Sequence, residues 1–349
     1  MTERCIFKNI KNTRDVICIK NEIINMTNKT ILVTGGAGFI GSSLIDCLIK
    51  ENQWNIISID NFDSFYSRNQ KERNIKNQLS SSFVSFFEVD FTNKIELNKT
   101  LDKYENIDTI VHIGAKAGVR PSIENPYNYQ ISNIVGTQNI FDLAIEKNCK
   151  QFVFASSSSV YGVNPSFPWS EDNNVLLPIS PYASTKVGGE LMGHSFSHLN
   201  KIRFVGLRFF TVFGPRQRPD LAIHLFCKKI LNGEPINVFG DGSTLRDYTY
   251  IDDIVSGIRS AIDYNKSMFE IINLGNNTPV KLSELIAIIE DVLDKKALIN
   301  RMPEQPGDVP VTYASIDKAI KLFDYHPKTS LKDGIKKFSE WLKSEDCIK

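Results

Sequence analysis

Residues 31–50 read ILVTGGAGFIGSSLIDCLIK. A short apolar run leads into glycines at a fixed spacing, Gly35-x-x-Gly38-x-x-Gly41, and then into a pattern of helical period. Strand, glycine turn and helix in that order open a βαβ unit, and few other folds accept them. The glycines allow a tight turn and let the backbone approach a pyrophosphate closely. The helix that follows, with Phe39 and Ile40 in its first turn, aims free N–H groups and its positive dipole end at that anion. A carboxylate, Asp60, ends the second apolar run, 19 residues after Gly41. It is placed to accept hydrogen bonds from the ribose hydroxyls of an adenosine, and it would repel a 2′-phosphate. That selects NAD over NADP, although Arg68 in the next loop argues the other way. Asp90 ends the third apolar run and is expected either to reach the adenine amino group or to form a turn. Asn61, Phe91 and Ala115, beside the ends of successive strands, complete the expected cofactor contacts.

The alternation continues beyond this unit. Predicted strands cover 31–35, 55–60, 83–90, 107–114, 151–157 and 203–210, with helical patterns between most of them. Near-continuous Val, Ile and Phe in strands spaced by helices indicate a parallel sheet covered on both faces. Right-handed crossovers then give an α/β, doubly wound Rossmann sheet. After about residue 213 the pattern loosens into Gly- and Pro-rich punctuation, with helical faces such as Leu282, Leu285, Ile286, Ile289 and Leu293. The expectation is a smaller C-terminal α/β lobe over the carboxyl edge of the sheet, where open α/β sheets bind ligands. The division expected is an extension at 1–28, a dinucleotide-binding domain at 29–213 and the lobe at 214–349.

A formal charge of +1 over 349 residues leaves no broad basic or acidic surface, so neither nucleic acid nor a membrane surface is the expected partner. Six scattered cysteines without a CxxC read as free thiols in a reducing compartment. His194 and His198 share a helix face, but no third ligand lies near them in sequence, and no metal is expected. No signal peptide or membrane span is apparent in the sequence, and a cytoplasmic location is the expectation.

Two further stretches carry chemistry. In YASTK, Tyr182 and Lys186 stand four apart and share one face of a helix. An unperturbed tyrosine has a pKa of about 10 and needs help to act as a base. A nearby ammonium and the positive nicotinamide stabilise its phenolate. The run SSSSVYG at 156–162 follows the predicted strand QFVFA directly, so its hydroxyls stand at a strand's carboxyl end. One of them is placed to hydrogen-bond the substrate oxygen that Tyr182 deprotonates.

With these motifs the sequence resembles the extended short-chain dehydrogenase/reductases, and within them the nucleotide-sugar epimerases, over about residues 29–345. In that family the active hydroxyl stands four residues before the tyrosine of VYG, which is Ser157 here, 25 residues before Tyr182. Related sugar-nucleotide dehydratases carry Asp and Glu at the next two positions. This chain has Ser158 and Ser159, so dehydration is not expected. Ser158 is expected to help hold the sugar and Ser156 to cap the strand.

Four stretches narrow the resemblance to UDP-glucuronate 4-epimerases: AKAGVRPSIENPYNYQISNIVGT (115–137), LRFFTVFGPRQRPD (207–220), RDYTYIDD (246–253) and QPGDVPVTYA (305–314). Broader epimerases usually have Asn in place of Thr211 and Arg in place of Gln305. Lys116 departs from the Gln more usual in this subgroup. The resemblance implies a bound NAD, a UDP-sugar substrate held mainly by the C-terminal lobe, and a homodimer through helices near 123–147 and 181–199. Thr211, Arg218 and Arg120 offer donors for a sugar carboxylate, and Arg246 is the family-like partner of the UDP pyrophosphate; either Arg120 or Arg218 could serve phosphate instead. Phe239 is expected on uracil or in the core, and Asp308 on the uridine ribose. The implied reaction oxidises C4 to a ketone, turns the sugar over, and returns the hydride to the other face. Rival readings are decarboxylation of UDP-glucuronate, epimerisation of an uncharged UDP-hexose or UDP-N-acetylhexosamine, and an NAD sensor without catalysis.

Overall fold

The structure, a computed structural model, describes residues 29–173, 176–303 and 309–344. The expected extension at 1–28 lies outside these, as do Gln305 and Asp308.

Six strands follow one another as the alternation predicts: β1 Lys29–Thr34, β2 Trp54–Asp60, β3 Val84–Glu88, β4 Thr109–His112, β5 Gln151–Ser157 and β6 Arg203–Phe209. Between them run α1 Phe39–Glu51, α2 Arg68–Asn74, α3 Lys76–Ser80, α4 Lys94–Leu101, α5 Val119–Glu124, α6 Pro126–Gln130, α7 Gly136–Glu146 and α8 Pro181–Asn200. The second half adds β7 Thr211–Phe213, α9 Ala222–Asn232, β8 Ile236–Phe239, β9 Leu245–Tyr250, α10 Ile251–Asp263, β10 Phe269–Leu274, β11 Pro279–Lys281, α11 Leu282–Leu293, β12 Ile299–Met302, α12 Asp317–Phe323 and α13 Leu331–Ser344.

The central sheet is seven-stranded and parallel throughout, in the order β10-β6-β5-β4-β1-β2-β3. Its strands read as continuous apolar runs because both faces are covered. Ile31 and Val33 enter one core and Leu32 the opposite one, and all three are fully buried. On the second face Phe141 of α7 stacks on Phe196 of α8 at 4.4 Å between ring centres. On the first face α1 lies against α10, where Arg259 binds Glu51 at 2.6 Å and covers the ring of Trp54.

Two details differ from the sequence reading. The third and fourth strands are shorter than the apolar runs that announce them. Beyond Glu88 the chain turns on Asp90, whose Oδ1 accepts the N–H and hydroxyl of Thr92. Before Thr109, the Ile107 N–H goes to Lys147 O instead of a neighbouring strand. The second difference is the seventh strand, FEIINL, which comes from the C-terminal half and pairs with β6 from Phe269↔Phe204 to Leu274↔Phe209. The remaining strands form small sheets, β11-β9-β7 and β12-β8, above the carboxyl edge. The strand order reverses between β1 and β4, and the crevice there is the expected ligand position.

Candidate active site

A cleft of about 1130 Å³ opens at this reversal, walled by strand ends of the sheet and by segments of the small sheets. At its first end lies the glycine turn. Gly35 has φ of +70°, and a Cβ on Gly41 would fall 2.1 Å from Gly35 O, so neither position accepts a side chain without strain. No side chain caps α1, which leaves its first-turn N–H groups facing the cleft for an anion. Asp60 Oδ2 accepts the Ala37 N–H at 3.1 Å and Oδ1 the Phe62 N–H at 2.8 Å. The carboxylate is thereby fixed with acceptor capacity left for a diol. Arg68 is turned away. It binds Glu88 in a fork (2.8 and 2.6 Å) and Glu72 at 2.8 Å, so it is not offered to a 2′-phosphate. The residues present thus fit NAD. Asp90 forms the turn described above while its Oδ2 takes the Asn61 amide at 2.9 Å, and both residues line the cleft with Phe91 and Ala115.

Tyr182, Ser157 and Ser158 line the middle of the cleft. Ser180 caps α8, accepting the Ala183 N–H at 3.1 Å, with Pro181 in the first turn; these fix the helix start beside Tyr182. Ser157 Oγ accepts both the N–H and the hydroxyl of Ser159, at 3.2 and 2.9 Å. Its own proton is left to donate to Tyr182. Burial pushes the Tyr182 phenol up, while that hydrogen bond and the charge of Arg218 pull it down. Lys186 does not reach the cleft wall. It is buried behind Tyr182, its Nζ donating to Ala155 O at 2.6 Å and standing 5.9 Å from the Tyr182 ring centre. Burial brings its ammonium down to about 7, with the Glu190 carboxylate acting in the opposite direction.

The cleft also carries two arginines. Arg218 lines it, bonded twice to Asp220 (3.0 and 2.7 Å) and laid over the Phe65 ring at 4.9 Å. Thr211, at the start of β7, and Arg246, on β9, also line it. Arg246 Nη1 donates to Leu245 O at 2.9 Å. Arg120 and Phe239 are not among the residues that line the cleft. The exposed Arg120 covers the Phe239 ring at 5.1 Å, so the two pack on each other. Asp308 lies outside the described residues.

Several cleft residues went unread in the sequence. Asp63, Phe65 and Tyr66 follow β2, and Tyr129 lies on α6, its ring 6.2 Å from that of Tyr182. Their signal was position alone, since loops after parallel strands face the ligand edge. Lys116, the departure noted above, forms an ion pair with Asp63 at 2.8 Å, which pulls the Asp63 carboxyl below its usual range despite burial. Ser156 does not cap its strand. It is buried and donates to Glu190, which also binds Arg208. His194 and His198 stack on α8 at 6.5 Å, and among the described residues no group of three or more His, Cys, Asp or Glu is arranged to hold a metal. No helix among the described residues is long and apolar enough to cross a membrane.

Residues 31–275 match the family model described as the NAD dependent epimerase/dehydratase family. The chain is 40% identical to the UDP-glucuronate 4-epimerase of Thermodesulfobacterium geofontis, over 89% of this chain and 95% of that protein. It is 42% identical to the protein CapI of Staphylococcus aureus, over 89% and 97%. Among solved structures, the UDP-glucuronic acid 4-epimerase of Bacillus cereus in complex with UDP-glucuronic acid and NAD is similar with a TM-score of 0.85 and 37% identity, over 90% of this chain and 99% of that one.

Proposed function

The chain belongs to the NAD dependent epimerase/dehydratase family, and from that premise we propose that it is an NAD-dependent 4-epimerase converting UDP-glucuronate to UDP-galacturonate. The observation that carries the substrate choice is the pair of donors, the Thr211 hydroxyl and the guanidinium N–H groups of Arg218 that Asp220 leaves free, in one cleft with Tyr182. Such donors are matched by a carboxylate, which accepts through both oxygens, better than by the hydroxymethyl group of a neutral hexose.

When bound, NAD supplies the acceptor and then the donor of the C4 hydride. The chain supplies the rest. Tyr182 takes the 4-OH proton and later returns it. Ser157, its acceptor sites filled by Ser159, donates to the oxygen that changes charge. Lys186 places a cation behind the phenolate. Arg218 and Thr211 hold the sugar carboxylate, and Arg246 faces the diphosphate. Ser158 and Ser159 bring no acid or base, so water is not eliminated. The 4-keto sugar is a β-keto acid, and a carboxylate held out of line with the carbonyl π system keeps its CO2.

The scattered thiols and nucleotide-linked substrate suit a reducing, cytoplasmic setting. A homodimer through α7 and α8 belongs to the same reading, with Val135 just before α7, Ile145 on it, and Leu191 and Leu199 on α8 exposing apolar side chains.

The test is incubation with UDP-glucuronate and NMR of the product. UDP-galacturonate without CO2 is expected, and Tyr182→Phe should lower turnover by roughly 10²- to 10⁴-fold. A pentose product, or turnover of UDP-glucose in preference, would overturn the assignment.

A further inference from the structure

Ser156 and its partners form a buried group that the reaction as described does not use. Its hydroxyl donates to Glu190 Oε1. The same carboxylate takes Arg208 Nε at 2.9 Å and Nη2 at 2.7 Å from β6. Glu190 and Arg208 are each only 4% exposed. Arg208 also lies 4.7 Å over the ring of Tyr161, whose hydroxyl donates to Asn273 of β10 at 2.8 Å. A buried ion pair is seldom a net stabiliser, because desolvation of both charges consumes what their attraction returns. Its neighbours give it another use. Ser157 adjoins Ser156, and Lys186 stands one helical turn before Glu190 on the same face.

We infer that Glu190 is a positioning residue for the reaction: by holding Ser156 it fixes the strand end that carries Ser157, and by its charge it keeps Lys186 a cation behind Tyr182. This rests on the reading of the cleft given above.

The groups that face Lys186 can be named. On its own helix they are Tyr182 and Glu190. From β4 comes His112, buried and neutral, and from β5 the Ala155 carbonyl. Arg208 acts from β6 through Glu190. Burial draws the lysine down to about 7, into the working range, and Glu190 draws it up. Above the pH at which Lys186 loses its proton, the Tyr182 phenolate loses its support. Removing the charge of Glu190 therefore moves the alkaline limb of turnover to lower pH. Removing that of Arg208 leaves Glu190 uncompensated and moves the limb to higher pH. A purely structural pair would slow both variants and leave the limb in place.

The experiment compares Glu190→Gln, Arg208→Gln and Glu190→Asp with the parent, measuring kcat and KM against pH. The limb should fall by about one pH unit in Glu190→Gln, rise in Arg208→Gln and stay put in Glu190→Asp. An unmoved limb in the first two, or a shift in Glu190→Asp equal to that in Glu190→Gln, overturns the inference. If Glu190→Gln does not fold, the other two variants decide it: an unmoved limb in Arg208→Gln, or a fall of about one pH unit in Glu190→Asp, overturns the inference. The Tyr182 phenolate absorbance, identified by its loss in Tyr182→Phe and titrated on NAD-loaded protein without sugar, should shift to higher pH in Glu190→Gln. This second readout is independent of the substrate, so absence of parent turnover on UDP-glucuronate would count against that substrate while the titration decides the role of Glu190.

Discussion

The guanidinium of Arg218 is gripped on one edge by Asp220 and backed by the Phe65 ring. The grip uses Nε and Nη2, which leaves the rest of its fan of N–H donors for the cleft. An arginine fixed in this way loses little side-chain freedom when it meets a carboxylate, and a charge-assisted hydrogen bond of this kind contributes roughly 2 kcal/mol. Arg218→Ala should therefore lower kcat/KM for UDP-glucuronate about thirty-fold. Arg218→Ala and Thr211→Val should also release more 4-keto-pentose per turnover, because the carboxylate of the β-keto acid is then free to align with the ketone. Equal pentose yields in the parent and both variants, measured by NMR, would refute the carboxylate-holding role. At this scale the sequence was legible where the rules are local. Tyr182 and Lys186 follow helical period, and a strand end marks the serine run 156–159, within which only the family resemblance singles out Ser157. Asp220 is equally close in sequence to Arg218, but Phe65 arrives from the loop after β2, and no local period announces that meeting. The same holds for Glu190 and Arg208, which only the α8–β6 packing brings together.

The element that fixes the reaction edge from beneath is β4, and its last residue is a histidine placed where the apolar pattern would favour another valine. His112 bridges β1 and α7. Thr34 Oγ1 accepts the Gly114 N–H at 2.9 Å and lies 2.8 Å from His112 Nδ1. Thr137 Oγ1 donates to Asn133 O at 2.6 Å, so it accepts from Nε2 at 3.1 Å. On the neutral ring the proton is therefore on Nε2, and Nδ1 accepts from the Thr34 hydroxyl. Burial first, and the Lys186 charge second, depress its pKa from 6.5 to about 3. The unfolded chain therefore binds this proton before the folded one does. The contribution to stability is full above pH 6.5 and is lost as the pH falls toward about 3. Between pH 6.5 and 5 the loss should be about 2 kcal/mol, read from urea unfolding at each pH. His112→Asn, which keeps a donor and an acceptor, should be less stable overall but show a flatter acid slope. An undiminished slope in that variant would assign the effect to other groups. The histidine was visible in TIVH, but its charge state was not, because that depends on threonines from two other elements.

At the scale of the whole molecule, the chain leaves the sheet after β6 and comes back to it. β7 leads into the small sheets, α10 returns to lie on α1, and β10 closes the free edge of β6. FEIINL was a readable apolar run, but sequence neighbours could not show that its partner lies some sixty residues upstream. The return path also binds the site. Asn273 of β10 holds Tyr161 through its Oδ1, and its amide donates to Trp169 O at 2.8 Å and Ser315 O at 3.1 Å. Arg216, just past β7, donates to Asp46 of α1 at 2.6 Å. A fragment of residues 29–213, the dinucleotide-binding division expected from the sequence, would keep the glycine turn, Asp60 and Tyr182. It would also bare the β6 edge and the sheet face that α10 covers with Ile251, Ile254, Val255, Ile258 and Ile262, all buried in the full chain. Each such side chain contributes about 1.5–3 kcal/mol on burial, and their combined loss is comparable with the whole stability of a domain. The fragment should therefore lack fixed tertiary structure and fail to bind NAD, whereas the full chain should bind NAD and unfold in one calorimetric transition. A fragment with dispersed amide resonances and NAD affinity close to that of the full chain would mean that the sheet can close its edge without β10. The cofactor half would then be an independent unit, and the coupling of the two halves through Asn273 would have no bearing on the site.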